Sequence, residues 1–422
     1  MADALPHKEP TDRYLRMREQ VLVQAASVFN TKGLRGATMA DVAERLGVSA
    51  NSLSYYYRRK EDLAADCFIR TLDTLDDLVT RALEQNGVTE RIRHLLRAWL
   101  ALLADIATGE RGELVTFYDL RSLPRTRSNA AYDRFIAFVR KGRSLVTDDT
   151  LTMTRQERNA RAHLVFSVIF SVRNLVDRYE VEDYARAADR MADILTRGLN
   201  TTPATALPAG EVHAPASRNK NELQREAILH AATDLINQEG YRGASVDKIA
   251  AKMGLTKGSF YHHMDAKDEL VTACFERSHQ VIRVAQHQSM GAGANGRDSL
   301  MLATASLVRY QLSPAGPLLR YTALAAAPED VRPGLLRVGG RLTGRFAAMV
   351  SDGVADGSVR AVDAAIAAHV VDTAINATVE LQGWTEGLSG EPLVEAYLRP
   401  LFDGLLRSPV PVLHSAPALF ES

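Results

Sequence analysis

Cysteine is almost missing from this chain: two residues in 422, Cys67 and Cys274. That excludes the disulfide framework on which small secreted domains depend. Each cysteine precedes a phenylalanine inside a helical pattern, where a free thiol packs as a small apolar residue. Long hydrophobic runs are missing too. None approaches the roughly 18 apolar residues of a membrane span, and Met1–Glu9 lacks the apolar stretch of a secretory signal. A cytoplasmic protein is expected. Neither sign of charge dominates: Lys+Arg and Asp+Glu number 51 each. The chain as a whole is therefore not built to seek polyanions, and any affinity for nucleic acid must be local. No segment alternates polar and apolar residues as a half-buried strand would. Catalytic signatures are absent as well, with no glycine-rich phosphate loop, His-Glu-x-x-His, Cys-x-x-Cys or nucleophile elbow. No enzymatic activity, cofactor or metal is expected.

What is present is a duplication. Gly33-Leu34-Arg35-Gly36-Ala37 returns as Gly240-Tyr241-Arg242-Gly243-Ala244, 207 positions later. Gly47 returns as Gly254, Lys60 as Lys267, Leu63 as Leu270 and Cys67-Phe68 as Cys274-Phe275. About a third of the positions between Arg18 and Arg70 are identical in the second copy, without a gap. A period this long is not a solenoid, whose repeats run about 20–50 residues; it is a whole domain duplicated and fused.

Apolar residues recur at three- and four-residue steps almost everywhere, as at Val21, Leu22, Ala25, Ala26 and Phe29. The chain is expected to be all-α. One stretch departs from this: residues 200–219 carry Pro203, Pro208 and Pro215 among Thr, Ala, Gly and Ser, a linker composition. The expected organisation is an N-terminal arm over 1–16, a first three-helix head over 17–64 and a helical bundle over 65–199. A flexible linker follows over 200–219, then a second head over 220–271, a second bundle over 272–407 and a loosely held tail over 408–422.

The heads read as DNA-binding elements. In copy one, a helix from about Met17 to Thr31 ends near Gly33. Thr38 and Asp41 then stand as a near capping box ahead of a short helix. Gly47 supplies a tight turn, and Ser49 can cap a second short helix over Ala50 to Tyr57. Two short helices about a glycine turn form a helix-turn-helix, whose second helix enters the major groove. Val48, Leu53 and Tyr57 would face the core, leaving Ser49, Ala50, Asn51, Ser52, Tyr55 and Tyr56 outward. In copy two, Leu255, Phe260 and Met264 would face inward, and Thr256, Lys257, Gly258, Ser259, Tyr261, His262 and His263 outward. Small and hydroxyl residues at a helix start permit close approach to base edges, while Tyr, His and Lys can donate to phosphates. Asn51 has the chemistry to pair with adenine and Lys257 with guanine. His262-His263 is not a metal site by itself, because adjacent helical residues point about 100° apart. The heads differ in charge: residues 11–70 hold ten Lys/Arg against seven Asp/Glu, whereas 218–277 hold nine of each.

These residues resemble the TetR family of bacterial repressors. The family's recognition-helix pattern, roughly Gly-Val-Ser-x-Gly-x-Leu-Tyr-x-[His/Tyr]-Phe-x-x-Lys-x-x-Leu, is matched from Gly47 to Leu63 and again from Gly254 to Leu270. Thr38-Met39-x-Asp41-Val42-Ala43 and Ser245-Val246-x-x-Ile249-Ala250 match the family's preceding helix. The resemblance implies DNA contacts from Thr38, Ser49, Asn51, Ser52, Tyr55, Tyr56 and Lys60. In the second copy it implies Ser245, Thr256, Lys257, Ser259, Tyr261, His262, His263 and Lys267. Ser54 stands where the family has Tyr, and Asn51 where it has a small residue.

The resemblance also implies dimerisation through the last two helices of each unit, over Arg158–Tyr179 and Tyr184–Leu199, then Ala364–Trp384 and Pro392–Leu406. The two halves could form an internal pseudo-dimer presenting unlike heads to an asymmetric operator, or the chain could form a homodimer with four heads. A small-molecule effector bound in the helices after each head, which shifts the spacing of the heads and releases DNA, is implied as well. Candidate pocket residues are Trp99, Phe117, Tyr118 and Phe166, then Tyr310, Tyr321 and Trp384. The run Ala323 to Ala327 and the pair Gly339-Gly340 hint at a cavity for a lipophilic molecule. The function expected is thus a DNA-binding regulator, a repressor by analogy. The alternative is an interaction or scaffold protein in which one or both heads are degenerate.

Overall fold

The structure is a computed structural model that describes residues 11–116, 125–212, 219–256, 258, 260 and 267–407. Among these the only β pairing is an isolated bridge between Asn200 and Val359, and the rest is helix and connection. The first half opens with α1 (Asp12–Gly36), α2 (Met39–Leu46), α3 (Ala50–Ser54) and α4 (Lys60–Leu83). It continues with α5 (Gly87–Ala107), α6 (Arg125–Gly142), α7 (Arg155–Ser171), the single turn α8 (Arg173–Val176) and α9 (Tyr184–Arg197). The second half contains α10 (Lys220–Gly243), α11 (Val246–Lys252), α12 (Lys267–Ala292), α13 (Gly296–Leu312), α14 (Arg332–Ala355), α15 (Ala364–Trp384) and α16 (Gly390–Asp403).

Two boundaries differ from expectation. The N-terminal arm is shorter than 1–16, because Asp12 to Arg16 already belong to α1, whose first turn is capped by Thr11 accepting from the Tyr14 amide. The proline-rich stretch, expected to be a free coil, is docked over its described part. The Leu199 and Asn200 amides both donate to the Phe402 carbonyl at 2.8 Å. Asn200 Nδ2 reaches Asp403 Oδ1 at 2.8 Å, the Leu207 amide reaches Glu395 at 3.1 Å, and Arg309 donates to the Pro208 carbonyl at 2.8 Å. Composition forbids helix and strand here, but side chains of α13 and α16 supply the partners that a buried backbone requires.

Burial divides into three cores. One lies inside the first head, around Val21, Ala25, Phe29, Val42, Leu53 and Phe68. The second head has its counterpart around Ile228, Ala232, Ile249, Phe260 and Phe275. The third is shared: residues of α4, α5, α7 and α9 and residues of α13, α14, α15 and α16 form one continuous apolar cluster. Leu164, Val168, Val172 and Leu175 are buried in it from one side, and Val370, Ala374 and Leu381 from the other. At about 25 cal/mol per Å² of apolar surface removed from water, a core this extensive joins the halves far more firmly than a tether would.

Polar pairs fix the register of that junction. Asn159 Nδ2 donates to the Trp384 carbonyl at 2.8 Å. Ser171 lies 3.1 Å from His369 Nε2 and 3.0 Å from Thr373 Oγ1. Arg360 reaches Asp193 at 2.9 Å, and Arg190 pairs with Asp363. The His163 ring meets Trp384 edge-on with centroids 5.0 Å apart and lies 5.5 Å from Tyr397. At the chain crossing beside Leu199, Gly198 (φ 72°) and Gly404 (φ 94°) face each other's backbone. A Cβ on Gly198 would run into Phe402 O and Gly404 N, and one on Gly404 into Thr196 O. Both positions need glycine for conformation and for space.

Candidate nucleic-acid interface

The first head is assembled from local signals. Thr38 Oγ1 accepts from the Asp41 amide at 3.1 Å while Asp41 Oδ2 accepts from the Thr38 amide at 2.7 Å, a complete capping box that starts α2. Lys32 adds a 2.7 Å ion pair to Asp41. That hydrogen bond, then those from Thr38, hold the Asp41 carboxyl down to about 2. Gly47 ends α2 in the left-handed region (φ 67°), and Ser49 caps α3 by accepting from the Ser52 amide at 3.2 Å. Leu53 and Tyr57 are buried beneath α3, as their spacing implies. Tyr57 donates to Asp66 at 2.8 Å, Asp66 also binds Arg18, and Arg18 lies over the Tyr57 ring.

Thr38, Ser49, Asn51 and Ser52 are exposed on one side of this scaffold. Ser49 Oγ and Ser52 Oγ lie 2.9 Å apart. Ser54, standing where a tyrosine was expected, turns back to the Asn51 carbonyl at 2.7 Å and reaches nothing beyond its own helix there. Tyr55 is 75% exposed. Tyr56 is half-buried, because Tyr14 from the first turn of α1 stacks on it at 5.1 Å while Tyr55 meets it edge-on at 5.3 Å. Tyr14 also meets Tyr55 at 6.1 Å. This three-tyrosine cluster adds Tyr14, which the sequence alone leaves in an unstructured arm. Lys60 is more engaged than expected: its Nζ donates to the Ala37 carbonyl at 2.8 Å, pinning the residue before the Thr38 cap.

The second head repeats the frame with different chemistry. Ser245 caps α11 by accepting from the Lys248 amide at 3.2 Å, but Lys248 stands where copy one has Asp41, so no carboxylate closes the box. The accompanying ion pair is inverted. Glu239 stands where copy one has Lys32, and it pairs with Lys248. Gly254 keeps the left-handed turn (φ 65°). Thr256 is exposed and Phe260 fully buried, as expected. The expected contacts Lys257, Ser259, Tyr261, His262 and His263, and the core residue Met264, lie outside the described residues. Lys267 begins α12, and its side chain lies outside them too.

A sequence model of the tetR family of bacterial regulatory proteins matches the chain twice, over residues 21–67 and over residues 228–274. The two matched stretches are the two heads, one in each half. The transposon Tn10 TetC protein of Escherichia coli is 35% identical over 65 residues, which are 14% of this chain and 33% of TetC. IcaR of Staphylococcus aureus strain Newman, a negative transcriptional regulator of the biofilm operon icaADBC, is 30% identical over 69 residues, 15% of this chain and 37% of IcaR. The matched stretch thus spans about a third of each relative's own length. Among solved structures, the TetR-family regulator PfmR of Thermus thermophilus is 22% identical and covers 43% of this chain and 99% of its own, with a TM-score of 0.36.

Each tetR-family head is clamped to its own bundle from equivalent positions, which sequence reasoning did not single out. In copy one, Asn30 donates to the Leu114 carbonyl at 2.9 Å and accepts from the Thr116 amide at 2.8 Å. In copy two, Asn237 donates to the Leu318 carbonyl at 2.8 Å and accepts from the Arg320 amide at 3.1 Å. Arg70 binds Glu19 and the Glu113 carbonyl, and Arg277 binds Glu226 and the Ala315 carbonyl. Thr71 donates to the Val115 carbonyl, while Ser278 accepts from the Leu319 amide. The signal was available: Asn30/Asn237, Arg70/Arg277 and Glu19/Glu226 are identical in the repeat.

Both thiols are buried and donate 3.6 Å bonds to matching carbonyls, Cys67 to Leu22 and Cys274 to Leu229. Burial pushes the Cys274 thiol up to about 11 and Cys67 higher, so both sit as inert core residues. Most residues expected to line a pocket are packed instead. Trp99 is buried with its indole donating to the Ile169 carbonyl at 3.0 Å. Phe166 is wedged among Phe138, Phe170 and Trp384. Tyr310 is buried with its hydroxyl accepting from Arg277. Tyr321 lies against Gly339, which also faces His279. Ala323 and Ala327, at the two ends of the alanine-rich run, are core residues of the second head. Phe117 and Tyr118 lie outside the described residues. Trp384 differs: it lines a cleft of about 280 Å³ between the halves. Among the described residues no helix is long and apolar enough to cross a membrane, and no three His, Cys, Asp or Glu residues gather as a metal site.

Proposed function

We propose that this chain is a sequence-specific DNA-binding transcriptional regulator in which two unlike heads, carried by one polypeptide, read an asymmetric operator. The supporting observation is the single core that α7 and α9 share with α15 and α16. Two heads anchored to one core form an internal pseudo-dimer, and reading two half-sites about 34 Å apart, or a multiple of that, requires a fixed spacing between readers. The unlike operator follows from the outward residues. Copy one offers Thr38, Ser49, Asn51, Ser52, Tyr55, Tyr56 and Lys60; copy two offers Ser245, Thr256, Lys257, Ser259, Tyr261, His262, His263 and Lys267. Phosphate contacts fall to the tyrosines, histidines and Lys60 and Lys267, and base contacts to Asn51 and Lys257. Repression, relieved when a small-molecule effector shifts the spacing of the heads, is favoured over activation by the likeness to a negative regulator. The site of action is the bacterial cytoplasm.

Footprinting on the chain's own upstream DNA, combined with the mass of the complex, tests this reading. The expected result is one chain covering two unlike half-sites. Two chains on a palindrome would replace the pseudo-dimer with a homodimer. No salt-sensitive protected site would overturn the reading in favour of an interaction or scaffold protein.

A further inference from the structure

Many arginines in this protein meet carboxylates, as Arg97 meets Asp189, Arg134 Asp73 and Arg309 Glu391. The cleft between the halves gathers three that do not. Arg140 at the end of α6, Arg143 just beyond it and Arg155 in the first turn of α7 all line it, and none has a carboxylate partner among the described residues. Arg143 is partly buried, and its Nε has no hydrogen-bond partner there. Desolvation, then the fields of Arg155 and Arg140, depress the Arg143 guanidinium below its ordinary value, so the three charges bear on one another. Beside them Asn159, only 4% exposed, donates its amide to the Trp384 carbonyl and leaves Oδ1 buried without a partner among the described residues. Trp384 and Glu386, from the end of α15 in the other half, complete the wall.

Arg140 and Arg155 are exposed and stay hydrated, but a partly buried guanidinium facing two like charges, beside an orphaned buried acceptor, is costly to keep unless something neutralises it. From this geometry we infer that the cleft binds a small polyanion, carboxylate or phosphate in chemistry, that also offers a hydroxyl or protonated oxygen to Asn159. The guanidiniums fork onto the anionic oxygens, Asn159 Oδ1 accepts a hydrogen bond from the ligand's hydroxyl, and Trp384 covers the remaining face. About 280 Å³ lies at the small end of the range for ligand sites, which suits a compact metabolite and excludes a long acyl chain. The polarity is opposite to the lipophilic effector that the alanine-rich run suggests. Because the wall comes from both halves, occupation would bear on their relative position; only that regulatory consequence rests on the reading above, and the site itself does not.

Trp384 is one of two tryptophans, so its emission reports on the cleft directly. Citrate and inorganic pyrophosphate are titrated into the full chain at constant ionic strength, without DNA. The expected result is a saturable emission change from one or both probes, absent in Trp384→Phe and weakened at least about tenfold, or about 1.4 kcal/mol, in Arg140→Gln/Arg155→Gln. Both arginines are exposed, so the double variant keeps its fold, which circular dichroism verifies. Saturation by citrate alone assigns a polycarboxylate, by pyrophosphate alone a phosphate compound. No saturation by either, or an unchanged response in the double variant, overturns the site. A second measurement, DNA affinity with and without the saturating probe, reads the regulatory link; failure to bind DNA at all would count against the regulator reading and leave the cleft result standing.

Discussion

Lys60 has two jobs assigned to one ammonium. It holds the Ala37 carbonyl at 2.8 Å, and the family likeness places it on a phosphate; three donors can serve both. Lys60→Ala should therefore flatten the slope of log K against log salt by about one and also lower stability by about 1 kcal/mol. Lys60→Arg should restore the slope. A denaturation curve beside a salt series separates the two effects, and an unchanged slope in Lys60→Ala would leave the residue a purely structural one. A different residue-scale effect concerns acid. His163, buried against Trp384 and Tyr397 with Nδ1 unpartnered among the described residues, is held down to about 4 by burial, and so is His369. The unfolded chain titrates near 6.5, so between pH 6.5 and about 4 it takes up protons that the folded state refuses. The stability these rings allow is complete above pH 6.5 and is lost as pH falls toward 4, by a few kcal/mol per ring. Asp372, raised to about 7 by desolvation, acts with the opposite sign throughout that range. The histidine effect is thus read as a difference: melting of His163→Phe should depend less steeply on pH than wild type between 6.5 and 4. Identical slopes would mean that His163 is not shielded.

At the scale of elements, the glycine crossing between α9 and α16 is the sharpest test of how the halves dock. Gly404→Ala must strain a φ of 94° and meet the Thr196 carbonyl, and a cost of about 2 kcal/mol or more is expected. Gly357 has a similar φ of 79° but open space around it. Gly357→Ala should cost about 1 kcal/mol, so the difference in denaturation midpoint isolates the close approach; equal losses would show that the crossing is loose. The same elements show what is legible in sequence. Capping at Thr38–Asp41, the turn at Gly47 and the burial of Leu53 and Phe260 can be read because their causes lie within a few residues. The Asn30 clamp is marked only by its identity with Asn237 in the repeat; what it binds is hidden, since its partner Thr116 lies 86 positions away and an asparagine in a helix says nothing about distant backbone. The docked path of residues 199–212 is hidden for the same reason: its partners are Asp403, Glu395 and Arg309, on helices far along the chain. Trp99 and Phe166 suit a cavity and a core equally well as aromatic residues at helical spacing; the bond from α5 to α7 decides for the core at Trp99, and the rings of Phe138, Phe170 and Trp384 decide for it at Phe166.

For the whole molecule, duplication followed by divergence has left the frame and changed the reader. The clamps to the bundles are retained at Asn30/Asn237 and Arg70/Arg277. The ion pair beside the second helix has reversed polarity, from Lys32–Asp41 to Glu239–Lys248, a paired change that preserves local structure while altering the charge shown beside the cap. That swap is neutral in net charge, yet through other positions the formal charge of the two heads differs, ten basic against seven acidic residues over 11–70 and nine against nine over 218–277. A homodimer of identical heads would read both sides of its operator alike. In a pseudo-dimer, damage to one head should be felt on one side only. Lys60→Ala and Lys267→Ala are therefore expected to weaken protection over opposite half-sites of the same footprint. The first head, with its excess of positive charge, should contribute the larger share of the salt dependence. If either variant erodes both half-sites equally, the heads are not assigned one to each side, and the four-headed homodimer takes the place of the single-chain arrangement.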